Sequence, residues 1–287
     1  MLQVSLITPN SGDACSIYRG LGPLMQLPGI ELHTFNGSAG FHLWEAVMLS
    51  DVVVLQRPCY QQQVGIASIV KACGKKLIVD WDDDLSQLPS WNPQKDAFLE
   101  CAPHVEALAK LADVVTVSSK ALVASATAWG AKQAILVPNA IDNTFKRLPK
   151  LARNKIALWR GGTSHEGDLE VGRPMFERFV DTHKIVFVGA KPAWAEELRD
   201  YSHYDIMDYT NYITVMNALA PEYVLVPLAD HPFNHAKSDV GAQEAYLIGA
   251  KLIHNGIGEY KDLPETGKPR WLSEVNAIRT KILRSLA

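Results

Sequence analysis

Long apolar runs are missing from this chain of 287 residues: no window approaches eighteen consecutive apolar positions, so no segment reads as a membrane-spanning helix. A strong charge of either sign is missing as well. Basic and acidic residues number 28 and 31, for a formal net charge of −3, and neither half is basic. That weighs against a dedicated nucleic-acid binder, whose phosphate contacts need a basic face. Cysteine is scarce. Cys15, Cys59, Cys73 and Cys101 are far apart, form no C-x-x-C pair and have no histidine placed to complete a zinc site. They read as reduced thiols. The chain starts on a strand-like run over 2–7 without a basic, then apolar, leader, and the expectation is a cytoplasmic, intracellular protein.

Two nucleotide signatures are also absent. No G-x-G-x-x-G follows the first strand-like run, and no G-x-x-x-x-G-K-[ST] occurs anywhere. Gly20-Leu21-Gly22 comes too late after that run to form a phosphate turn. A dinucleotide oxidoreductase and a P-loop NTPase are therefore both disfavoured.

What is present is an ordinary globular composition, 47% hydrophobic and 21% charged, on a length that suits two domains of roughly 130–150 residues. Short β-branched runs alternate with helical stretches from end to end, which predicts parallel sheets built from βαβ units. In the first half, strands are predicted near 4–7, 31–34, 52–55, 77–80, 114–117 and 135–137. Helices are predicted near 16–27, 41–50, 60–73, 95–112 and 119–129. Pro138-Asn139 breaks the pattern, and the irregular segment 143–154 reads as a linker. A second alternation places strands near 156–159, 185–188, 204–207, 223–226 and 252–254. Its helices fall near 168–182, 192–200, 211–219 and 239–249, with a closing helix over 271–286. Two doubly wound units in tandem imply a cleft faced by the strand ends of both.

The densest chemistry lies in PLADHPFNHAKSDVGAQEAYLIGAKLIHN, from Pro227 to Asn255. Here a buried strand, a polar loop with His231, Asn234, Lys237, Ser238 and Asp239, and a helix follow one another. Polar groups at a strand's carboxyl end and a helix's amino end suit an anion. Lys237 is a point charge for phosphate, Ser238 a candidate N-cap, and Glu244 an acceptor for sugar hydroxyls. The plain alternative is an ordinary cap, a solvated lysine and an exposed glutamate.

Arg160-Gly161-Gly162-Thr163-Ser164-His165 stands after the first strand of the second half. Its glycines allow close backbone approach, and Arg160 adds charge. In the first half, Tyr18 and Arg19 open a helix at the expected cleft mouth, and Arg57 follows a strand. The run Asp80-Trp81-Asp82-Asp83-Asp84 reads either as a D-x-D metal clamp or as two cleft-lining carboxylates, Asp80 and Asp82, with Asp83 and Asp84 capping the next turn.

Four phrases resemble those of retaining GT-B glycosyltransferases, in particular the compact bacterial or phage type of the family-four group. Asp80-Trp81-Asp82-Asp83-Asp84-Leu85 resembles the family's D-x-D-D-D-L, and Val137-Pro138-Asn139-Ala140-Ile141-Asp142 its V-P-N-G-[VI]-D. The stretch Arg160 to His165 with Asp168-Leu169 resembles its glycine loop. Pro227-Leu228, Phe233-Asn234, Lys237-Ser238 and Glu244 resemble its donor phrase. The likeness runs nearly the whole chain in the same order.

It implies two Rossmann-like domains: an acceptor-side domain over 1–142, a nucleotide-sugar domain over 143–270, and a helix over 271–287 packing back on the first. It implies transfer of a hexosyl or pentosyl group from a UDP- or GDP-sugar to an acceptor hydroxyl with retention, with no cofactor or metal required. By position, Lys237, Arg160 and Asp82 take the catalytic roles. Gly161, Gly162, Thr163, His165, Tyr209, Asn234, Ser238 and Glu244 hold the donor, with Glu244 on the ribose and Tyr209 beside the nucleobase. Arg19, Tyr18, Arg57 and Asp80 face the acceptor, which is a glycan, a lipid-linked glycan, a protein or a modified DNA base. One departure stands out. The first glutamate of the family's E-x7-E motif falls on Ala236, with Asn234, His231 or Asp239 as substitutes. The rivals are a silent nucleotide-sugar-binding subunit and a metal-dependent GT-A transferase built on Asp80 to Asp84.

Overall fold

A computed structural model of the chain describes residues 1–36 and 42–287. Its strands are β1 (Leu2–Thr8), β2 (Ile30–Asn36), β3 (Val52–Gln56), β4 (Lys76–Trp81), β5 (Val114–Val117) and β6 (Ala134–Leu136), then β7 (Asn154–Gly161), β8 (Lys184–Gly189), β9 (Tyr201–Tyr204), β10 (Pro221–Val226) and β11 (Lys251–His254). Every pairing is parallel. The first six form one sheet in the order β2-β1-β3-β4-β5-β6, and the last five form a second in the order β11-β10-β7-β8-β9. Parallel strands need crossovers, and burial on both faces explains the continuous apolar runs, such as Val52-Val53-Val54-Leu55. The strand order reverses beside β1 in one sheet and beside β7 in the other. Crevices open at such reversals, so the loops after β1, β3, β7 and β10 are brought to a common cleft.

The departures from the expected elements have local causes. The helix expected over 16–27 is two, Ala14–Arg19 and Leu21–Met25, parted at Gly20. A Cβ at Gly20 would sit 2.3 Å from Gln56 Oε1, and Pro23 has no N–H to continue a single helix. The helix over 95–112 likewise splits into Lys95–Leu99 and Ala102–Leu111, the second with Pro103 in its first turn. The helix expected over 192–200 is a 3-10 turn, Ala193–Glu197, after Pro192. The strand expected at 204–207 lies three residues earlier, as β9. It is an edge strand, so polar Tyr201-Ser202-His203-Tyr204 suit it, and the apolar pair Ile206-Met207 belongs to the loop beyond. The helix expected over 41–50 is seen as His42–Leu49, and its position 41 lies outside the described residues.

Two crossings join the units. Ile141 bridges Trp271 in parallel, with Ile141 N–H donating to the Arg270 carbonyl and Leu272 N–H to the Ile141 carbonyl, both at 2.8 Å. Beyond this bridge the helix Leu272–Leu286 returns to the first sheet. Its Leu272, Val275, Ile282 and Leu283 share a buried cluster with Val4, Leu6, Val52 and Ile78.

Candidate active site

A cavity of about 520 Å3 lies between the two sheets at their carboxyl ends. In its wall is Glu244, 3% exposed on the helix Val240–Ile248. Its Oε1 accepts from the Tyr18 hydroxyl at 2.6 Å, and its Oε2 accepts from the Tyr212 hydroxyl at 2.6 Å. Arg160 Nε stands 2.6 Å from the same Oε2 as an ion pair. Tyr209 donates to the Tyr18 hydroxyl at 2.9 Å and packs edge-on against its ring. A carboxylate has about four acceptor positions; Tyr18 takes one on Oε1, Tyr212 takes one on Oε2 with the Arg160 ion pair beside it, and a position on Oε1 stays open. Burial, and after it the Glu244 charge, pushes the Tyr18 hydroxyl well above its usual range, so it stays a donor. Burial is the strongest influence and works against the Arg160 charge, but Glu244 together with Tyr212, Tyr260 and Tyr18 outweighs it and raises this group above its ordinary value.

Gly241 makes room for this cluster. A Cβ there would lie 2.9 Å from the Tyr260 hydroxyl and 3.1 Å from Arg160 Nη2. Arg160 Nη2 itself is buried and finds no hydrogen-bond acceptor among the described residues. An unsatisfied buried guanidinium nitrogen in a cavity wall is a place for an anionic oxygen.

On one flank sits a chain of three side chains. Asp168, on the helix Glu166–Glu177, accepts from Ala229 N–H at 2.8 Å and from Asn234 Nδ2 at 2.6 Å, and its Oδ2 lies 2.7 Å from His165 Nδ1. With Asp168 ionised, Nδ1 is the donor and Nε2 carries the lone pair. Lys237 Nζ lies 3.4 Å from that Nε2 and over the Phe233 ring. Burial lowers the His165 pKa, and the nearby Lys237 charge lowers it further, so the ring is neutral at pH 7. Burial opposes ionisation of Asp168, yet the His165 hydrogen bond and the Lys237 charge hold its pKa below the usual carboxylate value. Lys237 is thus delivered to the cavity as a cation beside a neutral imidazole.

The glycines divide their work. A Cβ on Gly161 would collide with the Trp159 ring at 2.8 Å and reach His165 at 3.0 Å, so this glycine packs the two rings. Gly162 has nothing within 4 Å and faces open space. Thr163 is exposed and lies off the cavity, whereas its neighbour Ser164 lines it.

The first sheet supplies the opposite wall. Arg57, at the end of β3, takes the left-handed conformation (φ 49°) that residues with a Cβ rarely adopt. Its Nε pairs with Asp82 Oδ1 at 3.1 Å and its Nη2 with Asp83 Oδ2 at 3.2 Å. Asn139, from the V-P-N phrase, donates to Ser238 Oγ at 2.8 Å, and its carbonyl accepts from Arg270 at 2.8 Å.

Several residues stand elsewhere than expected. Arg19, 3% exposed, does not face the cleft. It grips Asp80 with Nε at 3.0 Å and Nη2 at 2.6 Å in the interior of the first unit, and neither residue lines the cavity. Tyr18 points across the cleft to Glu244, toward the second unit. Asn234 is 1% exposed and ties Asp168 to the Ala229 carbonyl. Ser238 does not cap the helix; Asp239 is the N-cap, held by Arg270 at 2.8 Å. Ala236 packs into the first unit's core and its carbonyl accepts from Ser119 Oγ at 2.6 Å, so a glutamate there would enter an interior, not the cavity. Asp84 is bound by Ser86 and Ser125. The Asp80 to Asp84 run therefore faces three ways, and among the described residues no group of three or more His, Cys, Asp or Glu could hold a metal ion. Tyr212, Tyr260 and Asn139 were not singled out in sequence as ligand-facing. The Tyr212 spacing of three residues from Tyr209 on one helix is the signal that was available.

No family model matches the sequence, and no curated protein matches it. Solved structures do. A sucrose-phosphate synthase from Thermosynechococcus elongatus superposes with a TM-score of 0.62 at 16% identity, over 100% of this chain and 90% of that one. HepE from Anabaena, solved with UDP, gives 0.54 at 13% identity, over 99% and 90%. UDP-GlcNAc 2-epimerase from Neisseria meningitidis, bound to UDP-GlcNAc, gives 0.53 at 9% identity, over 99% and 92%. The likeness is one of fold: the chain has the GT-B architecture of two parallel-sheet α/β units. That architecture removes the GT-A alternative.

Proposed function

We propose that the chain transfers a glycosyl group from a nucleoside diphosphate sugar to an acceptor hydroxyl, with retention at the anomeric carbon. The observation that carries the reading is the meeting of Arg160, Lys237 and Glu244 in one cavity. Two cations and the open backbone at Gly162 suit a diphosphate; one free acceptor position on Glu244 suits a ribose hydroxyl. UDP in HepE and UDP-GlcNAc in the epimerase occupy proteins of the same fold, which favours a uridine or similar nucleotide here.

In the transfer, the bond from the anomeric carbon to the diphosphate oxygen breaks and its electron pair leaves with the phosphate. The acceptor oxygen bonds to the same face of that carbon, and its proton passes to the departing phosphate oxygen. Lys237 and the Arg160 Nη2 stabilise the charge that develops on the leaving group, the kind of electrostatic assistance that is worth most in a site shielded from water. Neutral His165 holds Lys237 without competing for its charge. Arg57 with Asp82 and Asp83 forms the wall that receives the acceptor, so positioning supplies the remainder.

The test is turnover of UDP- and GDP-sugars, alone and with simple hydroxyl acceptors. Even slow hydrolysis that disappears in Lys237→Ala supports transfer. Nucleotide binding without any turnover would favour a silent binding subunit instead, a reading that the methyl group of Ala236, facing the first unit's core, makes specific.

A further inference from the structure

A second, partly open cavity, of about 30 Å3, lies in the first unit against the returning C-terminal helix. It is lined by Arg19, Asp80, Thr116 and Arg279 among Leu24, Val54, Ile78, Ile282 and Leu283. Arg279 is 7% exposed; its Nη1 donates to Asn276 Oδ1 at 3.3 Å, and its Nη2 is buried with no hydrogen-bond acceptor among the described residues. Arg19 is satisfied otherwise, through Asp80, the Val137 carbonyl and Asn139. Two guanidiniums thus share one carboxylate, and among the described residues no other charged side chain lines the space. The local charge is +1 in a setting where an uncompensated charge is costly.

We propose that this cavity is a binding site for a small monovalent anion of the halide class. The lining is rich in donors and poor in acceptors. Asp80 already receives Arg19 Nε, Arg19 Nη2 and the Thr116 hydroxyl, at 3.0, 2.6 and 2.6 Å. A water needs acceptors for its own hydrogens, whereas a halide needs donors alone. By volume the space exceeds the about 10–15 Å3 that a single water needs. Burial, and after it the Arg19 charge, lowers the Arg279 pKa to about 9, with Asp80 opposing, so Arg279 is charged at pH 7. The anion would pin the helix Leu272–Leu286, through Arg279, to the sheet that carries Asp80. The inference is independent of the sugar-transfer reading.

The test is thermal unfolding of the full chain at pH 7 and constant ionic strength, with chloride exchanged for bromide or for the much bulkier gluconate. The midpoint is expected to be roughly 2–4 °C higher in chloride or bromide than in gluconate, saturating with halide, and the difference to vanish in Arg279→Leu. Crystals of the unaltered protein grown in bromide should show an anomalous peak between Arg19 and Arg279, which decides the matter if the variant does not fold. A midpoint indifferent to halide, an equal halide response in Arg279→Leu, or no peak there would overturn the proposal, the last meaning that water alone fills the space.

Discussion

Glu244 receives hydrogen bonds from both halves of the molecule, Tyr18 from the first and Tyr212 from the second, with Arg160 closing the set. Any ribose that binds there shares the carboxylate with Tyr18. Tyr18→Phe frees a second acceptor position on Oε1, and the affinity ratio of UDP over 2′-deoxy-UDP is expected to grow by roughly 3–10-fold, the worth of about one hydrogen bond. Calorimetric titration of both ligands checks this; an unchanged ratio means the ribose lies elsewhere. If the proposed transfer holds, Lys237→Ala is expected to lower kcat/KM by about 10²–10³ with the unfolding midpoint retained, since the lysine would stabilise leaving-group charge and stands at the cavity wall. The gathering of Lys237, Arg160 and Glu244 along one cavity was legible in the chain because residue type and strand-end position together point to charge in a cleft. Arg19 and Asp80 were misplaced for a physical reason: from sequence an arginine near a cleft looks available, and only the fold reveals the buried carboxylate that claims it.

The loop after β7 shows how little of a glycine's duty is written in its neighbours. Gly161 spaces two rings, Gly162 lies open, and Gly189, at φ 105°, would place a Cβ 2.1 Å from the Gly161 carbonyl oxygen. Gly189→Ala is expected to cost about 2–4 kcal/mol from backbone strain and collision, while Gly162→Ala stays within about 0.5 kcal/mol. Urea unfolding of the pair tests the contrast, and equal losses would contradict it. Strand runs and helix periodicity were readable because buried parallel strands are apolar throughout. The exposed edge strand β9 escaped that rule.

The His165, Asp168 and Lys237 chain gives the same region a pH dependence. His165 has a folded pKa below its ordinary value, so the unfolded chain binds the extra proton, and stability is lost as pH falls through the ordinary histidine value toward the lowered one. Asp168, also lowered, extends the loss to more acid pH, because its contribution is present above the ordinary carboxylate value and fades as pH falls through the folded one. Between pH 7 and pH 5 the unfolding midpoint of the unaltered protein is expected to fall more than that of His165→Asn. Parallel curves would mean the ring titrates normally.

Across the molecule, the two sheets are held at one geometry by contacts that the chain's order alone does not reveal. Ser119 reaches the Ala236 carbonyl, Trp91 packs where a Cβ on Gly167 would lie 2.3 Å away, and Tyr18 meets Glu244. The tandem alternation of strands and helices and the break at Pro138-Asn139 announced two units and a cleft. The closure of that cleft depends on pairs far apart in the chain, which no local pattern encodes. Ala236 illustrates it, a missing carboxylate in sequence and an interface residue in space. Calorimetric titration of the whole chain with UDP and GDP, beside Lys237→Ala, measures the central claim most directly. One nucleoside diphosphate is expected to bind once per chain, with affinity at least about tenfold weaker in the variant, the loss of roughly one charge-assisted contact. Failure of both nucleotides to bind, or equal affinity in the variant, would contradict it.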